Sequence, residues 1–174
     1  ELTSLEATTL YAGIVVDTKN FAVQTGVRTF DAAAYLRRCG ADPEIVRSIF
    51  SSDFATVRLK SSLLAKATID DGVAMLDCGD LKENATMLAA QLADILINLN
   101  NVRASFTFYE LAEKTVGISA RSKGEVNVQR VMEVLGGGGH SNVAGAQLKG
   151  LTIEEAQEAV RKALEEIPEE KESE

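Results

Sequence analysis

Four consecutive glycines, Gly136 to Gly139, lead directly into His140, the single histidine of this 174-residue chain. Glycine loses more backbone entropy on folding than any other residue, so a run of four needs a reason. One reason is chemical: a backbone without Cβ atoms can take positive φ repeatedly and turn successive N–H groups toward an anion, a nest for phosphate oxygens. The other is a helix stop after Leu135, for which one glycine is enough. Beside such a loop His140 can donate to phosphate or offer its ring to a base, or it can be an ordinary structural histidine. Alone, it cannot supply the several imidazole and carboxylate ligands that a hydrolytic metal centre takes.

Arg121 and Ser122 are the second group. Val116, Ile118 and Ala120 alternate with Gly117, Ser119 and Arg121, which is strand periodicity and puts Ser119 and Arg121 on one face. A guanidinium fork with neighbouring hydroxyls suits bidentate recognition of phosphate; the other reading is a surface arginine at a strand end. Asn127 opens a short apolar helix and suits its N-cap. Asp17 ends a long apolar run before Thr18-Lys19-Asn20, so it is either a helix-terminating residue or a carboxylate ligand delivered from a buried segment.

The elements that must position these residues are legible from periodicity. Residues 2–16 read as a helix, 18–30 as a loop, and Asp31 caps a helix to about Cys39 that Gly40 ends. Asp42-Pro43-Glu44 starts another helix, and 53–66 supports a further one. Asp71-Gly72 between two apolar runs signals a hairpin. Residues 83–99 carry one apolar helical face, 103–108 and 116–121 alternate as strands, and Val128 to Leu135 follows helical spacing. After the glycines, 144–148 reads as a strand, and the capping box Thr152-x-x-Glu155 opens a last helix that Pro168 stops. The order from residue 67 is β-β-α-β-β-α-β-α, an α/β fold with a mixed β-sheet and flanking helices. The domains expected are 1–30, a helical remnant of a preceding unit; 31–66, a helical connector; 67–167, the mixed-sheet domain; and 168–174, a disordered acidic tail.

Composition narrows the partners. A net charge of −8 disfavours duplex DNA, so an anionic ligand must be held locally. Cys39 and Cys78 lie far apart and form no zinc or disulfide pattern. No apolar run of spanning length and no signal peptide is present, which predicts a soluble chain. The start at Glu1, inside a helix-like segment, reads as a piece of a longer protein.

The segments Gly117-Ile118-Ser119-Ala120-Arg121-Ser122, Val126-Asn127-Val128, Leu135-Gly136-Gly137-Gly138-Gly139-His140 and Ala144-Gly145-Ala146 together resemble the DHH-associated domain of DHH-superfamily phosphoesterases. The segment 12–21, Ala-Gly-Ile-Val-Val-Asp-Thr-Lys-Asn-Phe, resembles the last metal-binding motif of the DHH catalytic domain. With Arg28-Thr29-Phe30-Asp31-Ala32-Ala33 it is most similar to the membrane-anchored GdpP-type cyclic di-AMP phosphodiesterases of Gram-positive bacteria. The resemblance covers residues 1–167. It implies that residues 1–30 end a DHH domain, that Asp17 is a manganese (Mn2+) ligand, and that Arg121 and Ser122 grip phosphate. Asn127 would lie in the same substrate-binding group, and Gly137, Gly138, Gly139 and His140 would surround the nucleotide.

The implied parent linearises cyclic di-AMP to 5′-pApA. Its implied partners are a cyclic dinucleotide or short oligonucleotide, the upstream DHH domain, and a second copy in a homodimer. The implied location is the cytoplasmic side, in a parent anchored in the membrane. The family's His-x-Asp-x-Asp and Asp-His-His motifs are absent, so the fragment alone is expected to be inactive. Two other readings are a soluble DHH-family oligoribonuclease or nucleotide phosphatase, and a non-catalytic nucleotide-binding domain.

Overall fold

A computed structural model describes residues 2–111 and 114–167, in two compact units, residues 1–54 and 55–174. The acidic tail expected at 168–174 lies outside the described residues.

In the first unit, α1 (Ser4–Asp17) opens with a capping box between Thr3 and Glu6. It closes at Thr18, whose hydroxyl donates to the Ile14 carbonyl at 2.6 Å and accepts from the Phe21 N–H at 2.9 Å. That bond holds Lys19, Asn20 and Phe21 in a turn of successive positive φ. Phe21 thereby stacks on Phe30, with ring centroids 5.5 Å apart.

The second helix, α2 (Val27–Arg38), begins four residues before the Asp31 cap expected from sequence. Gly26 takes the cap position instead, its N–H donating to Thr29 Oγ1 at 3.3 Å. The Thr-Asn-Gly stretch that reads as a loop therefore ends at Gly26. Asp42 caps α3 (Pro43–Ile49) as expected, accepting from the Glu44 N–H at 2.8 Å. The buried core here is small, centred on Ala7, Leu36 and Ala41, while Val27, Phe30, Ile49 and Phe50 are exposed.

In the second unit, α4 (Phe54–Leu64) leads to a six-stranded sheet in the order β1-β2-β3-β4-β6-β5. The strands β1 (Thr68–Asp70) and β2 (Val73–Asp77) form the expected hairpin. Asp71 and Gly72 both have positive φ, as a tight twisted turn requires, and Arg103 anchors the turn through Asp71 at 2.9 Å. A crossover through α5 (Ala85–Ile97) makes β3 (Ala104–Leu111) parallel to β2. The remaining pairs, β3 with β4 (Thr115–Ser122), β4 with β6 (Val143–Lys149) and β6 with β5 (Gly138–His140), are antiparallel. The fold class is thus the mixed-sheet α/β arrangement read from sequence.

Helices lie on both faces. Ser105 and Thr107 donate to the Ala93 and Ala89 carbonyls at 2.8 and 2.9 Å, which turns their side of the sheet toward α5. Phe106, Phe108, Ile118 and Ala120 point the other way, into a core shared with α6 (Val128–Val134) and α7 (Ile153–Glu166). Burial on both faces explains why β3 and β4 are closed to solvent along most of their length.

One element differs from the expected order. The glycine run is not a free loop: Gly138 to His140 form β5, hydrogen-bonded to β6. Glycine has low strand propensity, so nothing local announces the pairing. What holds it is register with β6.

Candidate functional site

The four glycines do different work. Gly136 lies at φ +78 just past α6; its N–H reaches the Glu133 carbonyl at 3.0 Å and the Gly137 N–H reaches that of Met132 at 2.7 Å. This is the Schellman closure of a helix, so two of the N–H groups expected in an anion nest are already used. A Cβ on Gly137 would overlap the Gly145 carbonyl oxygen and lie 2.8 Å from Ala146 Cα. Gly139 has φ +148, and its Cβ would lie 2.5 Å from both Ala144 Cα and the Val143 oxygen. Gly138 has neither constraint: its φ is ordinary and a Cβ there would meet nothing within 4 Å. Backbone and packing account for three glycines and leave the fourth unexplained.

Register shows what Gly138 faces. Ser119 pairs with Gly145 and Gly145 with Gly138; one step along, Arg121 pairs with Val143 and Val143 with His140. Directly opposed residues share a face, so these two rows form one surface, on the side of the sheet that carries α5. The floor of one row is Gly138 and Gly145, with no side chains. Arg121 and His140 flank the other row two strands apart, about 10 Å between backbones. A cleft of about 470 Å³ continues the surface, with Ser119, Gly145 and Gln147 on the strands, Gly137 just before β5, and Thr86 and Tyr109 at its wall. Gly117 belongs to the same construction, because a Cβ there would run into the Tyr109 ring, 2.7 Å from its Oη.

Arg121 is held in place. Its Nε donates to Asp94 Oδ1 of α5 at 2.8 Å and its Nη1 to the Ala120 carbonyl at 3.0 Å, with only 12% of the side chain exposed. His140 is exposed, at the free edge of the sheet, where one side of the β5 backbone has no strand partner among the described residues. Sequence reasoning missed Asp94. It lies 27 residues from Arg121, and a lone acidic residue on a helix reads as solvated.

The remaining candidates sit elsewhere. Ser122 is buried at the end of β4, one residue out of phase with Arg121, and its Oγ accepts from the Gly124 N–H at 2.9 Å. Asn127 caps α6, its Oδ1 accepting from the Arg130 N–H at 3.2 Å. The turn between β5 and β6 is fastened to Ser122 and to Val128, the residue after Asn127, through Ser122 N–H to the Asn142 carbonyl and Val128 N–H to the Ser141 carbonyl, each 3.0 Å. Ser122 and Asn127 thus border the hairpin from behind. Asp17 is the exposed last residue of α1, in the other unit. Among the described residues no three His, Cys, Asp or Glu side chains cluster as a metal site would require, so the donor set does not fit a two-metal centre within this chain.

What the arrangement can do is grip. A guanidinium with two corners anchored and an edge left over, a floor without side chains, and an exposed imidazole suit a flat ligand carrying phosphate.

The chain is 47% identical over 165 residues to the cyclic-di-AMP phosphodiesterase GdpP of Geobacillus thermodenitrificans, covering 94% of the chain and 25% of that protein. It is 47% identical over 161 residues to the cyclic-di-AMP phosphodiesterase PdeA of Listeria monocytogenes, covering 92% and 24%. The chain therefore spans about a quarter of the length of these relatives. In fold it is similar to an exopolyphosphatase-related protein from Bacteroides fragilis, with a TM-score of 0.83, 23% identity, and coverage of 94% of this chain and 51% of that one. A model of the DHHA1 domain matches residues 72–169, more than half of the chain and all of the sheet from β2 onward. The chain belongs to the DHHA1 domain family, as its resemblance to the DHH-superfamily phosphoesterases implied.

Proposed function

We propose that this chain is the nucleotide-gripping portion of a phosphodiesterase that opens cyclic di-AMP to 5′-pApA. The observation that carries the reading is Gly138, the one glycine of the run that neither φ nor packing requires, placed in a side-chain-free floor beside Arg121 and His140. A ligand lying on that floor supplies the missing reason. In this reading Arg121 turns its remaining N–H groups to a phosphate oxygen, and His140 donates to phosphate or stacks on a base. Gly137, Gly138 and Gly139 let the ligand approach the backbone, while Ser122 and Val128 tie down the turn that carries His140 and Asn127 caps the helix beside it.

In this reading hydrolysis belongs to another part of the parent, since among the described residues no His, Cys, Asp or Glu cluster fits a metal centre. Asp17 is proposed as one carboxylate ligand of a manganese site completed by a DHH domain. The exposed apolar residues of the first unit, Val27, Phe30, Ile49 and Phe50 among them, support a larger domain around it. A membrane-anchored, homodimeric parent belongs to the same proposal. Among the described residues no helix is long and apolar enough to cross a membrane.

The test is product analysis of the full-length parent with manganese on cyclic di-AMP, cyclic di-GMP and linear dinucleotides. The expected result is 5′-pApA from cyclic di-AMP, a strong loss of turnover in Arg121→Ala, and none at all from the isolated chain. Preference for linear dinucleotides would replace the reading with an oligoribonuclease. Unchanged kinetics in Arg121→Ala would remove that residue from the site.

A further inference from the structure

We propose that Asp94 is a positioning residue that pre-orients Arg121 for a phosphate group, an inference that rests on the nucleotide-binding reading above. Arginine carries five N–H donors in a rigid planar fork. At Arg121, Nε is committed to Asp94 Oδ1 at 2.8 Å and one Nη1 hydrogen to the Ala120 carbonyl at 3.0 Å. The two anchors lie on different elements, α5 and β4, and fix the plane of the guanidinium. The Nη2 edge then remains for a ligand on the Gly138–Gly145 floor, one register step away.

Asp94 is suited to hold rather than to bind. Its carboxylate is 38% exposed and would repel a phosphate that approached it directly, whereas its charge is matched by the arginine beside it. Without Asp94 a long, rotamer-rich side chain must be immobilised by the ligand itself, which weakens binding about five- to tenfold.

The test is an NMR titration of the 174-residue chain with cyclic di-AMP, following the Arg121 Nε–H signal together with the backbone amides. Asp94→Ala should weaken binding about five- to tenfold and broaden the Nε–H signal. Asp94→Asn, which keeps an acceptor oxygen in the same place, should restore affinity to within about twofold. In an Arg121→Ala background, Asp94→Ala should cause no further loss of affinity. If Asp94→Ala does not fold, Asp94→Glu, which pushes the carboxylate one methylene along, must show the loss instead.

Full affinity in Asp94→Ala, or a loss that persists without Arg121, overturns the role of Asp94 while leaving the platform standing. Unchanged binding in Arg121→Ala alone overturns the platform reading, and this inference with it.

Discussion

Alanine placed in turn at Gly137, Gly138 and Gly139 separates the glycines that the fold needs from the one that a ligand needs. At Gly137 the new Cβ would overlap the backbone oxygen of Gly145, and at Gly139 it would press on Ala144 and Val143 at a φ of +148. Backbone atoms paired into a sheet cannot yield as a flexible side chain does. Each substitution should therefore cost about 3 kcal/mol, the upper end of ordinary overpacking. With a urea slope of about 1.5 kcal/mol/M, that moves the unfolding midpoint down by about 2 M.

At Gly138 nothing lies within 4 Å and φ is unstrained. Alanine there only restricts the unfolded chain, so stability should hold or rise by about 0.4–1 kcal/mol. The same methyl would stand on the Gly138–Gly145 floor and should weaken cyclic di-AMP binding about tenfold, a loss of roughly 1.4 kcal/mol. Urea unfolding followed by circular dichroism, paired with a titration for affinity, reads both effects. Normal binding by a stable Gly138→Ala variant would refute the argument from the unexplained glycine. A fully stable Gly137→Ala would refute the packing half.

Asn127→Ala should cost about 1 kcal/mol of unfolding free energy by removing the α6 cap, whereas Asn127→Asp, which caps as well, should not; equal stability of all three proteins would deny the cap. Gly117→Ala should destabilise the second unit by about 2–3 kcal/mol, because the Tyr109 ring occupies the space of the new methyl; an unshifted urea midpoint would contradict that contact. The buried thiol of Cys78 is pushed up to about 12, chiefly by burial and further by the Asp77 carboxylate. The folded state therefore keeps a proton that the unfolded chain releases near pH 9, and stability is whole below that pH. Above it, stability should fall by at most about 1.4 kcal/mol per pH unit. Comparing the urea midpoints of Cys78→Ala and the parent sequence at pH 8 and pH 10 isolates this slope, and an identical pH dependence in both would dismiss it.

Much of the fold was legible because its signals are local. The alternation at 103–108 and 116–121, the Asp71-Gly72 turn, the Asp42 cap and the Thr152 capping box each depend on residues within a few positions, and each stands where it was read. The start of α2 was misplaced because Gly26, a weak cap, does the work expected of Asp31. β5 was invisible for a related reason: a glycine pattern carries no hydrophobic alternation, and its pairing depends on β6 beyond the turn.

The site divides in the same way. Period 2 alone puts Ser119 and Arg121 on one face, and the glycines with His140 were singled out by composition. That Arg121 and His140 border one floor follows from the β4-β6-β5 register, and the tie to Asp94 follows from how α5 lies on the sheet. Both are tertiary facts. Ser122, next to Arg121 in sequence, points to the opposite side for the elementary reason that strand residues alternate.

The most direct measurement of the central claim is a backbone amide shift map of the chain titrated with cyclic di-AMP. Shifts are expected at Gly136 to His140, Ser119, Arg121 and Gly145, with Asp77, Gly79 and the Gly150 to Glu154 segment at the opposite end of the sheet unmoved. Shifts confined to that opposite end, or none at saturating nucleotide, would contradict it.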